Sequence, residues 1–342
     1  MTEVLTASDQ SIGRAAELLR GGAVVAFPTE TVYGLGANGL DARSVERIYD
    51  AKGRPKDNPF ILHIAEKEEI GSLVSCIPAT AKQLVDAFWP GPLTVILPSA
   101  DVVPLVARAG LPTVAVRCPA NPWARKLIRR CGFPLAAPSA NLSGRPSPTT
   151  AAAVLEDMNG RIPLILDGGP CEVGLESTVV TLVGECPRLL RPGGVTLEQL
   201  EAVIGSVEVD RAVLGKLEEN AVALSPGMKY RHYAPNAALT VVGGGATAQR
   251  IHTLYAEALE AGRNPAILAC AGHEGAFSGR VVYTLGVEGN DESIGASLFE
   301  ALRRVDADGR TDVFAEAVEP SGIGLAVMNR LLRAAGFQYI HS

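Results

Sequence analysis

What the chain lacks narrows it first. No apolar run is long enough to cross a bilayer, which takes about 20 residues of helix. The N-terminal stretch MTEVLTASDQSIGRAAELLRGG has no h-region of a secretory signal and reads as an amphipathic helix. Basic residues do not predominate. The net charge is -6, so the overall field favours neither nucleic acid nor an anionic membrane, although a local basic cluster could still bind phosphates. The six cysteines, Cys76, Cys118, Cys131, Cys171, Cys186 and Cys270, include no C-x-x-C pair. Reduced thiols in a cytoplasmic protein are the expectation. The five histidines show no metal-ligand spacing, so no metal site is expected from side chains. There is no G-x-S-x-G, which removes the nucleophile-elbow hydrolases.

What is present has the length of two domains, 342 residues. The first two hundred residues alternate short apolar runs with amphipathic segments. Strands are predicted at AVVAF, FILHI, LTVIL, TVAVRC, PLAAPSA, PLILDGG and STVVTLV. Helices are predicted over Ser11–Arg20, Ser44–Lys52, Ala79–Phe88, Pro122–Cys131, Thr150–Met158 and Leu197–Ile204. The fold class is therefore α/β, with a large twisted mixed sheet over residues 1–206. From Leu239 to the end a second, smaller α/β domain with a Rossmann- or flavodoxin-like rhythm is predicted, spanning 239–342. Residues 207–238 join the two. Their core, SPGMKYRHYAP, carries Tyr230 and Tyr233 beside Lys229 and Arg231, which is more than a passive linker needs. It either docks on something or packs between the domains.

PTETVYGLGANG, Pro28 to Gly39, spells a formal G-x-G-x-x-G. A dinucleotide loop would need a strand running straight into the first glycine and a helix opening at the last. Here six residues rich in hydroxyls follow the strand, and the next helix begins only around Asp41, so the spelling is a poor fit. The GGGATA turn, Gly243 to Ala248, likewise lacks the acidic residue of a nucleotide fold and reads as a strand-to-helix turn.

The helix ending at Lys52 has Asp41 to cap it and Gly53 to stop it. Lys52 suits a helix C-terminus, but Arg54, Lys56 and Asn58 continue the polar run between two prolines, a presentation suited to a polyanion. Arg117 stands in the apolar strand TVAVRC, on one face with Ala115 and Thr113. It needs either a structural carboxylate or a ligand's acid. His63 is equally placed to be a core residue or a base. APSANLSGRPSPT and GLESTVV cluster hydroxyls at strand ends, and Arg191 follows in LLRPGG. Cations and hydroxyls without a nucleophile suit phosphoryl or nucleotidyl transfer.

In order, PTETVYGLGANG, KGRPKDNPFILHI, WPGPLTVIL, VAVRCP, APSANLSGRPSPT, DGGPCEVGLESTVV and LLRPGG resemble the motifs of the YrdC/Sua5 family, and SPGMKYRHYAP resembles the linker of its two-domain Sua5 branch. The resemblance covers most of residues 10–196 and the linker, and more loosely the C-terminal domain. It implies a YrdC-like catalytic domain and a threonylcarbamoyl-AMP synthase, a nucleotidyltransferase that uses L-threonine, bicarbonate or CO2, and ATP with Mg2+ held through the phosphates. The product would pass to a tRNA threonylcarbamoyl-transferase for t6A formation. Carried over by motif, Thr31, His63, Arg117, Ala137 and Ser177 would line the threonine pocket. Lys52, Arg54, Asn58, Thr113, Ser139, Ser147, Arg191 and Tyr233 would surround ATP, with Lys52 and Arg54 acting on the leaving pyrophosphate. Phe60 replaces a common leucine and Thr181 a common aspartate. The competing readings are a double-stranded RNA or ribosome-associated module, which the acidic charge disfavours, and a hydrogenase-maturation carbamoyl-transfer domain, whose acylphosphatase and zinc-finger segments are missing.

Overall fold

The computed structural model describes residues 1–55, 57–215, 223–226 and 232–342. Lys56 and, in the linker, Lys229, Tyr230 and Arg231 lie outside the described residues. The chain forms two compact units. One takes in Met1–Ser143, Ser147–Val213 and residues 223–226; the other takes in Gly144–Pro146 and the residues from 232 onward.

The first unit contains β1 (Glu3–Thr6), β2 (Val25–Phe27), β3 (Gly34–Asn38), β4 (Ile61–His63), β5 (Leu93–Pro98), β6 (Thr113–Arg117), β7 (Leu135–Ala136), β8 (Leu164–Asp167), β9 (Thr178–Thr181), β10 (Arg188–Arg191) and β11 (Glu208–Val209). Its helices are α1 (Asp9–Arg20), α2 (Ala42–Lys52), α3 (Ala79–Phe88), α4 (Pro122–Cys131), α5 (Ala151–Met158) and α6 (Leu197–Ile204). The strands form one mixed sheet in the order β1-β8-β2-β3-β7-β4-β6-β5-β9-β10-β11. Two of them correct the sequence reading. β1 precedes the N-terminal helix, pairing parallel with β8, where the whole segment was read as helix. β11 adds to β10 from within the expected linker, and residues up to Val213 together with 223–226 pack with this unit.

Local chemistry sets the helix ends. Asp41 caps α2 by accepting from the Ser44 amide at 3.1 Å, and Gly53 stops it in the left-handed region at φ 62°. Asn121 caps α4, and Pro122 occupies its first turn, where no backbone donor is needed. The apolar stripes of α1 and α4 (Ile12, Ala16 and Leu19; Leu127 and Ile128) bury against Val25, Phe27, Leu135 and Leu164 of the sheet. A separate apolar cluster joins Ile61, Ile96, Ala115 and Val179 to Ala212 and Ala223. Ala223 belongs to the linker, so that part of the linker docks on the first unit.

The G-x-G-x-x-G now has a physical account. Gly34 and Gly36 lie inside β3, paired with Phe27 and Val25 of β2. The Phe27 ring lies across both glycines. A Cβ on Gly36 would stand 2.8 Å from Phe27 Cε1, and one on Gly34 would stand 3.0 Å from Cζ.

The second unit contains β12 (Ala238–Gly243), β13 (Pro265–Ala271), β14 (Val282–Val287), β15 (Asp312–Glu316) and β16 (Tyr339–His341), with α7 (Thr247–Glu260), α8 (Asp291–Ala307) and α9 (Gly322–Ala334). Its described strand pairs are parallel, in the order β14-β13-β15-β12-β16. The α/β alternation is Rossmann-like. The order is its own, because β15 lies between the first two strands of the unit, which are neighbours in the usual Rossmann sheet. The GGG turn after β12 is likewise a packing feature. Added Cβ atoms would reach Tyr339 Oη at Gly243 and the Ser342 carbonyl at Gly244.

Replacing Gly36 with alanine should destabilise the protein by about 1–3 kcal/mol through overpacking against Phe27. Urea unfolding measures it. An unchanged midpoint would show that Phe27 does not dictate the glycine.

Candidate active site

Register places the polar residues on one face of the first sheet. Parallel pairing sets His63 beside Arg117 and Ile61 beside Ala115. Ile96 of β5 pairs with Ala115, so Thr94 shares that face. Val179 pairs with both Thr94 and Arg191, which brings Arg191, and Ser177 just ahead of β9, to the same side. Apolar clusters flank this polar strip: the α1/α4 core on one side, the Ala212/Ala223 cluster on the other.

Arg117 is buried and makes three described hydrogen bonds. Nη2 donates to Glu30 Oε1 at 2.5 Å, Nη1 to Thr31 Oγ1 at 2.9 Å, and Nε to the Gly91 carbonyl at 3.3 Å. Glu30 is therefore the structural carboxylate that the sequence left open. Burial raises the Glu30 carboxyl, but the charge and hydrogen bond of Arg117 outweigh it and hold the group below its usual range. A guanidinium has five N–H donors, so two remain beyond these three bonds.

His63 is buried next to this pair, with Nδ1 3.2 Å from the Ile61 carbonyl and its ring edge-on to Phe27. Burial and then the neighbouring Arg117 charge push its pKa down to about 3. It is a neutral imidazole at any working pH. Ala137 continues the same wall, its amide bonded to the Ile61 carbonyl at 3.1 Å.

Ser177 is held from two sides. Its hydroxyl lies 2.8 Å from Thr94 Oγ1, and Arg191 donates to its Oγ and to its carbonyl, both at 3.1 Å. Arg191 also reaches the Pro226 carbonyl at 3.4 Å, tying the linker segment to the sheet. Ser147 donates to Glu176 at 2.5 Å, and both are buried. Ser139 donates to Asn141 Oδ1 at 2.5 Å.

Lys52 leaves the end of α2 and donates to the carbonyls of Ser139 at 2.5 Å and Asn141 at 2.7 Å. It clasps the hydroxyl-rich loop as well as supplying charge. The Arg54 guanidinium lies 5.3 Å from the centre of the Phe60 ring, which in turn packs on Tyr49. The Phe60 departure thus gives Arg54 an aromatic floor. Thr181 accepts from the Val183 amide at 3.3 Å, a local turn. Asn58 is 1 % exposed, and among the described residues neither end of its amide has a partner. Thr113 begins β6, about 13 Å along the strand from Arg117.

Three motif loops are stitched together by backbone. The Tyr33 amide donates to the Pro148 carbonyl and the Ala140 amide to the Tyr33 carbonyl. The Val173 amide donates to the Glu30 carbonyl and the Cys171 amide to the Thr149 carbonyl. Tyr233 belongs to the second unit. It is buried at φ 64°, its ring 5.2 Å from that of Phe299, with the Arg330 guanidinium 5.5 Å from its centre. All six cysteines are free thiols. Burial pushes Cys118, Cys131 and Cys171 up to about 12 and Cys270 up to about 11, so none of these four is an activated nucleophile.

Two family models match the chain. One, for Sua5, YciO and YrdC and described as telomere recombination, matches residues 17–193; the other, the C-terminal domain of threonylcarbamoyl-AMP synthase, matches residues 195–336. A curated threonylcarbamoyl-AMP synthase of Bacillus subtilis is 48 % identical over 99 % of this chain and 97 % of its own. The chain belongs to the Sua5/YrdC family. A Pyrococcus abyssi relative of the same name is 50 % identical over 95 % of this chain and 94 % of its own. The crystal structure of P. abyssi Sua5 complexed with L-threonine superposes with a TM-score of 0.94 at 47 % identity, covering both chains fully. The two-domain Sua5 architecture and the mixed α/β fold are thereby established.

The sequence reading gave no role to Glu30, Thr94 or Glu176, and took Asn141 as one of several donors to phosphate. Glu30 had a signal. It is the acid inside PTETVYG, and a buried arginine requires one.

The charges predict an acid-sensitive fold. His63 takes its proton only near 3 when folded but near 6.5 when unfolded, so the unfolded state binds more protons between those values and stability falls as pH drops through them. Glu30 adds to this, its stabilisation being present above the ordinary carboxylate value and lost below it. Between pH 6.5 and 5 the His63 contribution should decline by about 1–2 kcal/mol. Denaturant unfolding of wild type and His63→Asn across that window should show a shallower slope in the variant. Equal slopes would place the titration elsewhere.

Proposed function

We propose that this protein is a threonylcarbamoyl-AMP synthase, joining L-threonine, CO2 or bicarbonate and MgATP into threonylcarbamoyl-AMP with release of pyrophosphate. The observation that carries the reading is Arg117: a buried guanidinium with two N–H donors left for a carboxylate, beside a neutral His63 and a fixed Ser177. A two-donor fork matches a carboxylate bidentately. Thr31, His63, Ala137 and Ser177 then form the walls around threonine. Lys52, Arg54, Asn58, Thr113, Ser139, Ser147 and Arg191 receive ATP, whose phosphates carry the Mg2+. The partnerless Asn58 amide suits a polar ligand group.

The threonine amine loses a proton and adds to CO2, giving a carbamate. A carbamate oxygen attacks the α-phosphorus, and the bond to the bridging oxygen breaks as pyrophosphate leaves. Lys52 and Arg54 stabilise charge as it gathers on that leaving group. No covalent enzyme intermediate is needed. Anchoring of residues 223–226 by Arg191 and by the Ala223 cluster supports the linker as a lid that excludes water from a labile product. The product's consumer is a tRNA threonylcarbamoyl-transferase, and the setting is the cytoplasm.

The deciding experiment is incubation with ATP, L-threonine and bicarbonate. Threonine-dependent pyrophosphate and a new adenylate are expected, and their absence would favour a binding module. Arg117→Lys keeps the charge that Glu30 needs but loses the fork. Its threonine affinity should fall by about 1.5–3 kcal/mol with ATP affinity unchanged in calorimetric titration. Lys52→Met and Arg54→Gln should each lower pyrophosphate release by about 100-fold. Retained turnover in both folded variants would reduce the cluster to a helix-end feature.

A further inference from the structure

The mechanism gives Glu30 no part, yet its carboxylate is paired directly with Arg117, the residue read as the partner of the threonine carboxylate. Its side chain is 7 % exposed, with Oε1 on Arg117 and Oε2 3.4 Å from the Asn121 amide. A buried guanidinium without a counter-charge attracts any anion within reach. This enzyme works amid such anions: the phosphates of ATP, the pyrophosphate it releases, and bicarbonate. His63 offers no charge to either side. Glu30 cancels the Arg117 charge while occupying one edge of the guanidinium, and two N–H donors are left over.

Such a site sorts ligands by their own charge balance. A molecule that brings only negative charge meets a pocket already neutralised, with a fixed carboxylate close by, and like charges in juxtaposition are penalised. A zwitterion brings a carboxylate for the fork and a positive group that Glu30 favours. We propose that Glu30 is a specificity-determining residue, admitting a zwitterionic α-amino acid to the Arg117 fork and turning away multiply charged anions. The inference rests on the reading of Arg117 as the partner of the threonine carboxylate.

The test is calorimetric titration of nucleotide-free, full-length protein. The probes are L-threonine, 2,3-dihydroxybutanoate (the same skeleton with hydroxyl in place of the amino group) and inorganic phosphate. In wild type the dihydroxy acid should bind at least about tenfold more weakly than threonine, and phosphate should not displace threonine. In Glu30→Gln, which keeps an acceptor oxygen and loses the charge, the gap should narrow and phosphate should compete about tenfold better. Glu30→Asp should restore the wild-type pattern. The proposal is overturned if phosphate already displaces threonine from wild type, or if folded Glu30→Gln rejects phosphate as wild type does. If Glu30→Gln does not fold, the wild-type arms decide alone. Arg117→Lys separates the two levels of argument. Wild-type threonine affinity in that variant defeats the carboxylate reading itself. Weakened threonine binding there, with phosphate still rejected by Glu30→Gln, defeats the Glu30 inference only.

Discussion

A positive charge inside an apolar sheet is the constraint on which the site depends. Arg117 is placed by β6 among valines and an alanine, and it would be costly there without Glu30. Meeting that need fixes the Pro28–Tyr33 loop, because Glu30 and Thr31 both accept from the guanidinium. Fixing that loop orders its neighbours, since Tyr33 and Glu30 exchange backbone bonds with the Ala137–Thr149 and Cys171–Val173 segments. The same charge helps hold His63 neutral.

The site divides into two electrostatic environments. Around Arg117 the charge is offset by Glu30. Lys52, Arg54 and Arg191 bring three cations to the other part of the sheet face and its loops. Lys52 donates to two loop carbonyls and Arg191 to a hydroxyl and a carbonyl of Ser177, so both cations also position backbone. The hydroxyls of Ser139 and Ser147 are held in place by Asn141 and Glu176.

Much of this was legible in the sequence, and the parts that were not share a cause. Helix α2 could be read from Asp41 and Gly53, and α4 from its Asn-Pro start, because capping is local chemistry. Parallel α/β alternation in the second unit followed from its periodicity. β1 was missed because a four-residue edge strand carries no pattern of its own and exists only through β8. β3 was missed because glycine gives no strand signal and its reason for being there, the Phe27 ring, comes from another strand. In the site, strand alternation put Arg117 and Thr113 on one face, but the partners of Arg117 are set by pairing across the sheet. Lys52 was read as a charge at a helix end; its second task, clasping a loop 87 residues on, is invisible without the fold.

The aromatic footprint on β3 also has a meaning for how such chains can diverge. Gly34 and Gly36 are tied to the size of the side chain at position 27. A larger residue at Gly36 is harmful beside Phe27 and becomes harmless only after Phe27 shrinks, while shrinking Phe27 first leaves a hole in the core packed by α1 and α4. Either order crosses a less stable intermediate. The letters of the glycine motif are therefore coupled to position 27 on the neighbouring strand, so a change at either position is tolerated best when the other changes with it.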